Sequence, residues 1–217
     1  MLTIHAAELL LPGGGHAPVP GGAVAVRGAE IAALGPYEEV AARHPGARVR
    51  RWPGVLTPGL RQWHGHWLLT RVYHPDPREA DELGTAPLVG PAFDALAPDA
   101  ARMAGSVRRG IQRMMAHGTT HVGLGAGPAE VRQAVARAGL REVPKASVLA
   151  PPVWDGPDLD PFVEGYDLAG AVHGPLTVGG LADLAAFDVA DETDLVARGA
   201  ATCVATVLGG RLVYRAR

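Results

Sequence analysis

The sequence is short of several things at once. It has a single cysteine, Cys203, and a single lysine, Lys145. One cysteine cannot close an internal disulfide, so the fold is not a disulfide framework. Positive charge therefore rests on arginines, which are scattered among Asp and Glu to leave a formal net charge of −2. That balance lacks the basic face of a nucleic-acid-binding surface, and no nucleic acid partner is expected. Aromatic residues make up only 5% of the chain. No window approaches about 18 uninterrupted apolar residues, which excludes a membrane-spanning helix and gives no reason to expect a membrane partner. Met1 to Leu10 lacks a basic stretch followed by a long apolar run, so the expected location is cytoplasmic. No internal repeat and no low-complexity tail is visible.

What is present reads as a folded chain. Its 217 residues are 47% hydrophobic and 19% charged, as in globular proteins with a substantial core. The first part predicts short strands between glycine turns: Leu2 to Leu11, then Gly22 to Arg27 and Glu30 to Leu34 as a hairpin about Gly28. A short helix over Pro36 to Arg43 and a strand over Val49 to Leu56 follow. In the middle the apolar period lengthens to about 3.6. Asp99 caps a helix to about Ala116, with Met103, Val107, Ile111, Met114 and Met115 along one stripe as core residues and Gly118 as its stop. Gly118 to Leu124 reads as a strand, Ala129 to Ala138 as a helix closed by Gly139, and Val143 to Leu149 as another strand. That order predicts a parallel α/β layer. Pro151 to Pro161 reads as loop. The end returns to strands at Leu184 to Val189, Ala200 to Leu208 and Arg211 to Arg215, the last two joined by a Gly209-Gly210 hairpin turn.

Three segments together resemble the amidohydrolase superfamily, nearest to its imidazolonepropionase-like and cyclic amide or amidine hydrolase branches. Ala23 to Gly35 looks like the opening hairpin of that family. Leu56-Thr57-Pro58-Gly59-Leu60, followed by His64-Gly65-His66, is similar to its proline-glycine-leucine lead and the His-x-His of the first barrel strand. Gly174 to Asp188, with Val204 to Tyr214, looks like its closing strands. The resemblance implies an α/β protein with a β-sandwich: a composite sandwich from both chain ends, residues 1–57 and 174–217, around a truncated α/β insert over 58–173. A full (β/α)₈ barrel takes roughly 250 residues, so this insert is expected to hold an incomplete barrel remnant of two or three strand-helix units. The later metal ligands of the family have no matching motif, and Lys145 is not carried over to one of those roles.

On a strand, residues i and i+2 share a face, so His64 and His66 would present two imidazoles to one metal ion, zinc or another divalent cation. A catalytic zinc typically takes three protein ligands. His121, His74 and the loop carboxylate Asp155 are the candidates for the third. His121 is preferred, because adjacent strands lie about 5 Å apart. The bland alternative is an aromatic strand, flanked by Trp63 and Trp67, with exposed histidines. His5, His16, His44 and His117 are given no function, and His173 a loop role. Gly123-Leu124-Gly125-Ala126-Gly127 invites a phosphate-loop reading, but a tight strand-to-helix turn accounts for it. Asp76, Arg78, Glu79, Asp81 and Glu82 read as a solvated loop or helix start, and Cys203 as a small buried apolar residue.

Two functions from different classes stay open. One is a metal-dependent hydrolase of a C-N bond in a small cyclic amide, amidine or amino-heterocycle, in which metal-bound hydroxide attacks carbon and an acid protonates the leaving nitrogen. The other is a catalytically inactive composite-domain module for binding or assembly. The ligands found favour inactivity of the isolated monomer. An open parallel layer also leaves strand edges uncovered, which predicts a homodimer through the α/β region.

Overall fold

The computed structural model describes residues 2–144, 158–163 and 165–216. In chain order the elements are β1 (Leu2–Ala6), β2 (Leu9–Leu10), β3 (Val19–Pro20), β4 (Gly22–Arg27), β5 (Glu30–Pro36), α1 (Tyr37–Arg43), β6 (Arg48–Arg51), β7 (Val55–Pro58) and β8 (Leu60–Gln62). Then come α2 (Gly65–Thr70), β9 (Val72–Tyr73), α3 (Ala80–Leu83), β10 (Leu88–Val89), α4 (Gly90–Leu96), α5 (Ala100–Ala116), β11 (Thr119–Gly123), α6 (Ala129–Ala138) and β12 (Arg141–Val143). After these follow α7 (Leu168–Ala171), β13 (Leu184–Phe187), α8 (Glu192–Arg198), β14 (Cys203–Leu208) and β15 (Arg211–Arg215). The fold is mixed α/β with several mixed sheets, and no closed barrel forms among the described residues.

The chain divides into two compact units. The first comprises Met1–Arg61, Met115–Thr120 and Asp160–Arg217. It holds a four-stranded sheet, β5-β4-β1-β6, and a six-stranded sheet, β15-β14-β13-β7-β2-β3. The hairpin of β4 and β5 is antiparallel with Arg27 opposite Glu30, as the glycine turn predicts. Leu2 to Leu11 and Val49 to Leu56, each expected as one strand, are each two. In both, the chain leaves one sheet and enters the other: β1 and β6 pair in parallel in the smaller, β2 and β7 in the larger. The second crossing turns at Gly54, whose φ is +62°. A Cβ there would lie 2.4 Å from the Phe187 carbonyl oxygen, so backbone passes where a side chain cannot fit.

The two sheets share a core. Val24, Val26 and Ile31 from the first pack with Leu10, Leu56, Leu184, Ala205 and Val207 from the second. Late chain also binds early chain directly. Ile31 N donates to Gly180 O at 2.9 Å, Gly179 N to Ile31 O at 2.8 Å and Ala182 N to Ala29 O at 2.8 Å. β13 runs antiparallel to β7 with Leu184 opposite Pro58. Burial of these Val, Leu and Ile side chains at roughly 25 cal/mol per Å² supplies the main favourable term joining the two ends. The Gly209-Gly210 turn joins β14 to β15 with Leu208 opposite Arg211. β13 stops at Phe187, and Ala200 to Thr202 form a 3-10 turn ahead of β14, so both strands are shorter than the apolar runs suggest.

The second unit comprises Gln62–Met114 and His121–Leu159. Asp99 caps α5, its Oδ1 accepting from Arg102 N at 2.8 Å. Val107, Ile111 and Met114 are buried as their spacing predicts. β11 pairs in parallel with β12, His121 opposite Arg141 and Gly123 opposite Val143. α6 lies between them in sequence, so this strand-helix-strand is the parallel arrangement expected. β12 begins two residues earlier than predicted, and Lys145, Asp155 and most of the expected Pro151 to Pro161 loop lie outside the described residues. No helix among the described residues is long and apolar enough to cross a membrane.

Candidate functional site

The His64-Gly65-His66 segment does not lie on a strand. β8 ends at Gln62, and Gln62 Oε1 accepts a hydrogen bond from His64 N at 3.0 Å, turning the chain. His64 is then the N-cap of α2, with φ −95° and ψ 21°, and its carbonyl accepts from Leu68 N at 2.9 Å. His66 sits inside the first turn of that helix, its carbonyl accepting from Thr70 Oγ1 at 2.8 Å. A helix turns about 100° per residue, so neighbours two apart do not share a face as they would on a strand. The apolar pair Leu68 and Leu69, both wholly buried, explains the preference for helix: it anchors α2 in the core of its unit.

His121 lies on β11, between buried Thr120 and Val122. Val122 is the residue facing the histidine segment: a Cβ built on Gly65 would come 1.9 Å from Val122 Cγ2. Strand alternation sends the His121 side chain to the opposite face. His66 instead packs beside the glycine turn, since a Cβ on Gly127 would meet its Nδ1 at 3.2 Å. Gly65 and Gly127 therefore serve a close approach of the 63–66 and 122–127 segments. That packing accounts for the glycines without a phosphate ligand.

His74, the second alternative ligand, is wholly buried. Its backbone N-H donates to Ser106 Oγ at 2.8 Å, and its Nε2 lies 3.1 Å from the Leu68 carbonyl, which only accepts, so the proton belongs on Nε2. Burial, and then the charges of Arg113 and Arg109, lower its pKa to about 4 despite the Leu68 bond. It is a packed core imidazole. His5 is similar: Trp52 Nε1 donates to its Nδ1 at 3.1 Å, and burial with the Arg50 charge lowers its pKa to about 4. Cys203 is buried and its thiol is pushed up to about 11 by burial, which keeps it protonated and unreactive.

Among the described residues no group of three His, Cys, Asp or Glu is placed to hold a metal ion. A catalytic zinc typically takes three protein ligands, and the histidines among the described residues do not supply such a set. One charged group is more ordered than its sequence suggests. Glu79 accepts from Tyr73 Oη at 2.7 Å, Asp76 N at 2.8 Å and Arg102 Nη2 at 2.8 Å, while Asp76 pairs with Arg109 at 3.1 Å. The Asp76 N-H first, and then Tyr73 and Arg102, hold the Glu79 carboxyl down to about 2, overriding burial. The signal was legible as a capping box, Asp76-Pro77-Arg78-Glu79. Its groups are all mutually satisfied, so it reads as a clamp for the segment after β9.

Residues 22–47, covering β4, β5 and α1, match the family model described as imidazolonepropionase-like composite domain, bacteria. No curated protein matches the chain. Among solved structures it is similar to A. niger ochratoxinase, at 25% identity and TM-score 0.45 over 64% of this chain and 29% of that one. Guanine deaminase from Bradyrhizobium japonicum shows 20% identity and TM-score 0.43 over 65% of this chain and 34% of that one. An adenosine deaminase from Xanthomonas campestris with bound zinc shows 22% identity and TM-score 0.40, over 65% and 33%. The chain thus spans about a third of the length of these structures. The opening hairpin and the helix after it are thus similar to an imidazolonepropionase-like composite domain, and the closing strands hydrogen-bond into the same core as that hairpin.

Proposed function

We propose that this chain is a non-catalytic member of the amidohydrolase superfamily, a composite β-sandwich built from residues 1–57 and 174–217 that keeps a barrel remnant over 58–173 and serves binding or assembly. The observation that carries this reading is the dispersal of the histidines: His64 caps a helix, His66 lies within it, and His121 points from the opposite face of β11. A hydroxide-generating centre needs ligands held together on rigid elements, and these are not. The competing reading is hydrolysis of a C-N bond in a small cyclic amide, amidine or amino-heterocycle. Incubating the full chain with such compounds and added zinc should give no turnover above that of the buffer with zinc. Turnover that scales with protein and disappears in both His64→Ala and His66→Ala would overturn the proposal.

A homodimer through the α/β region belongs to the same proposal. The parallel pair of β11 and β12 is short, and parallel strands are stable chiefly when covered. Light scattering at micromolar concentration should give twice the chain mass, and a monomer would remove the dimer.

A further inference from the structure

A group of positive charges with no ion pair among the described residues lies on one sheet edge of the first unit. β6 ends the four-stranded sheet and pairs with β1 on one side only. Its sequence is Arg48-Val49-Arg50-Arg51, with Arg50 half-buried and the other three exposed. Val49 is 39% exposed, an apolar side chain open to water. None of these arginines forms a salt bridge among the described residues. Arg215, on β15, adds a fourth positive charge: it lies 5.9 Å from the Trp52 ring, and Trp52 directly follows β6. Burial, and then the charges of Arg48 and Arg215, hold the Arg50 guanidinium below its ordinary pKa, as expected of like charges crowded together.

We propose that β6 is a docking edge for an acidic, extended peptide segment of another protein, which adds to the sheet as a fifth strand and sets carboxylates against Arg48, Arg50 and Arg215. An edge strand presents unpaired N-H and C=O groups, and strand addition draws affinity from the main chain and specificity from alternate side chains. Arg48 and Arg50 lie on one side of the strand, with Val49 and Arg51 on the other. A guest with a carboxylate at every second position sets those groups on the side of Arg48 and Arg50, and small apolar residues between them lie on the side of Val49, where the Arg51 guanidinium stacks over the Tyr37 ring at 4.3 Å. A second copy of this chain does not match, because pairing β6 with itself would set arginine against arginine. A nucleic acid fits poorly as well. Its protein partners commonly neutralise about 6–10 phosphates, more than this edge of roughly 13 Å can reach. The inference names a partner class for the binding role proposed above, and it holds whether or not the chain hydrolyses a substrate.

The test uses the full chain and a fluorescent heptapeptide of alternating glutamate and valine, followed by anisotropy. A control peptide replaces each valine with proline, which keeps the charge and removes the ladder donors. Saturable binding is expected, about tenfold weaker for the proline peptide and about tenfold weaker for Arg48→Gln/Arg50→Gln protein with unchanged thermal unfolding. Amide hydrogen exchange of residues 48–51 should slow when the alternating peptide is added to the unmodified protein, a readout that does not depend on any variant. No binding, equal binding of the two peptides, an unaffected double variant, or tighter binding of a single-stranded oligonucleotide would each overturn the proposal.

Discussion

At the scale of the residue, the histidines show how burial decides what an imidazole can do. His5 and His74 are both enclosed, and both titrate near pH 4 in the folded protein against an ordinary 6.5. The unfolded chain takes up their protons below about pH 6.5, while the folded chain resists until about pH 4. Stability must therefore fall as pH drops through this window, by an amount on the order of 3 kcal/mol per histidine. Glu79 works in a separate, lower range: its depressed pKa gives stability that is present above the ordinary carboxylate value and lost as pH falls through about 2. Urea unfolding at pH 7 and pH 4.5 should show a clear drop in midpoint that is absent between pH 8 and pH 7. A flat midpoint from pH 7 to pH 4.5 would refute the burial argument. None of this was legible in the sequence, where His5 was set aside without a role and His74 stood only as an alternative ligand. Which imidazole is enclosed depends on long-range packing, such as Trp52 closing over His5 across 47 positions.

At the scale of the element, the hairpins and caps were the most readable parts. Gly28, Gly118, Gly139 and the Gly209-Gly210 pair all adopt positive φ where the sequence places turns or helix stops. Asp99 caps α5 as expected, because its carboxylate has a local partner three residues on. The failures share a cause. Leu2 to Leu11 and Val49 to Leu56 look continuous by hydrophobicity, yet each switches sheet, and both sheets demand apolar residues, so the pattern does not mark the crossing. α2 was missed because the resemblance places His64-Gly65-His66 on a strand, while the wholly buried Leu68 and Leu69 bind the segment as helix. α8 was missed although Asp191, which accepts from Asp194 N, and Gly199 at its end were both available as signals. The crossing at Gly54 gives a test. Gly54→Ala should destabilise the protein on the order of 1–3 kcal/mol, from the positive φ and the clash with Phe187 O. The neighbouring surface change Arg51→Gln should shift thermal unfolding far less, and equal shifts would contradict the role given to the turn.

At the scale of the whole molecule, both chain ends contribute to one core, and a short insert separates them. The early strands β4 and β5 and the late strands β13 and β14 supply the same apolar cluster, and segment 174–183 hydrogen-bonds back to the opening hairpin. That union was legible because each partner segment carries its own alternation and turn signals. The insert was legible only in outline: its parallel strand-helix-strand follows from period and glycine stops, whereas the positions of its histidine side chains depend on tertiary contacts. Elemental analysis after incubation with equimolar zinc and gel filtration tests the central claim, that these histidines do not assemble a metal centre, most directly. The protein is expected to emerge with negligible zinc, no different from His64→Ala and His66→Ala, whereas one tightly held zinc per chain, lost in both variants, would contradict it.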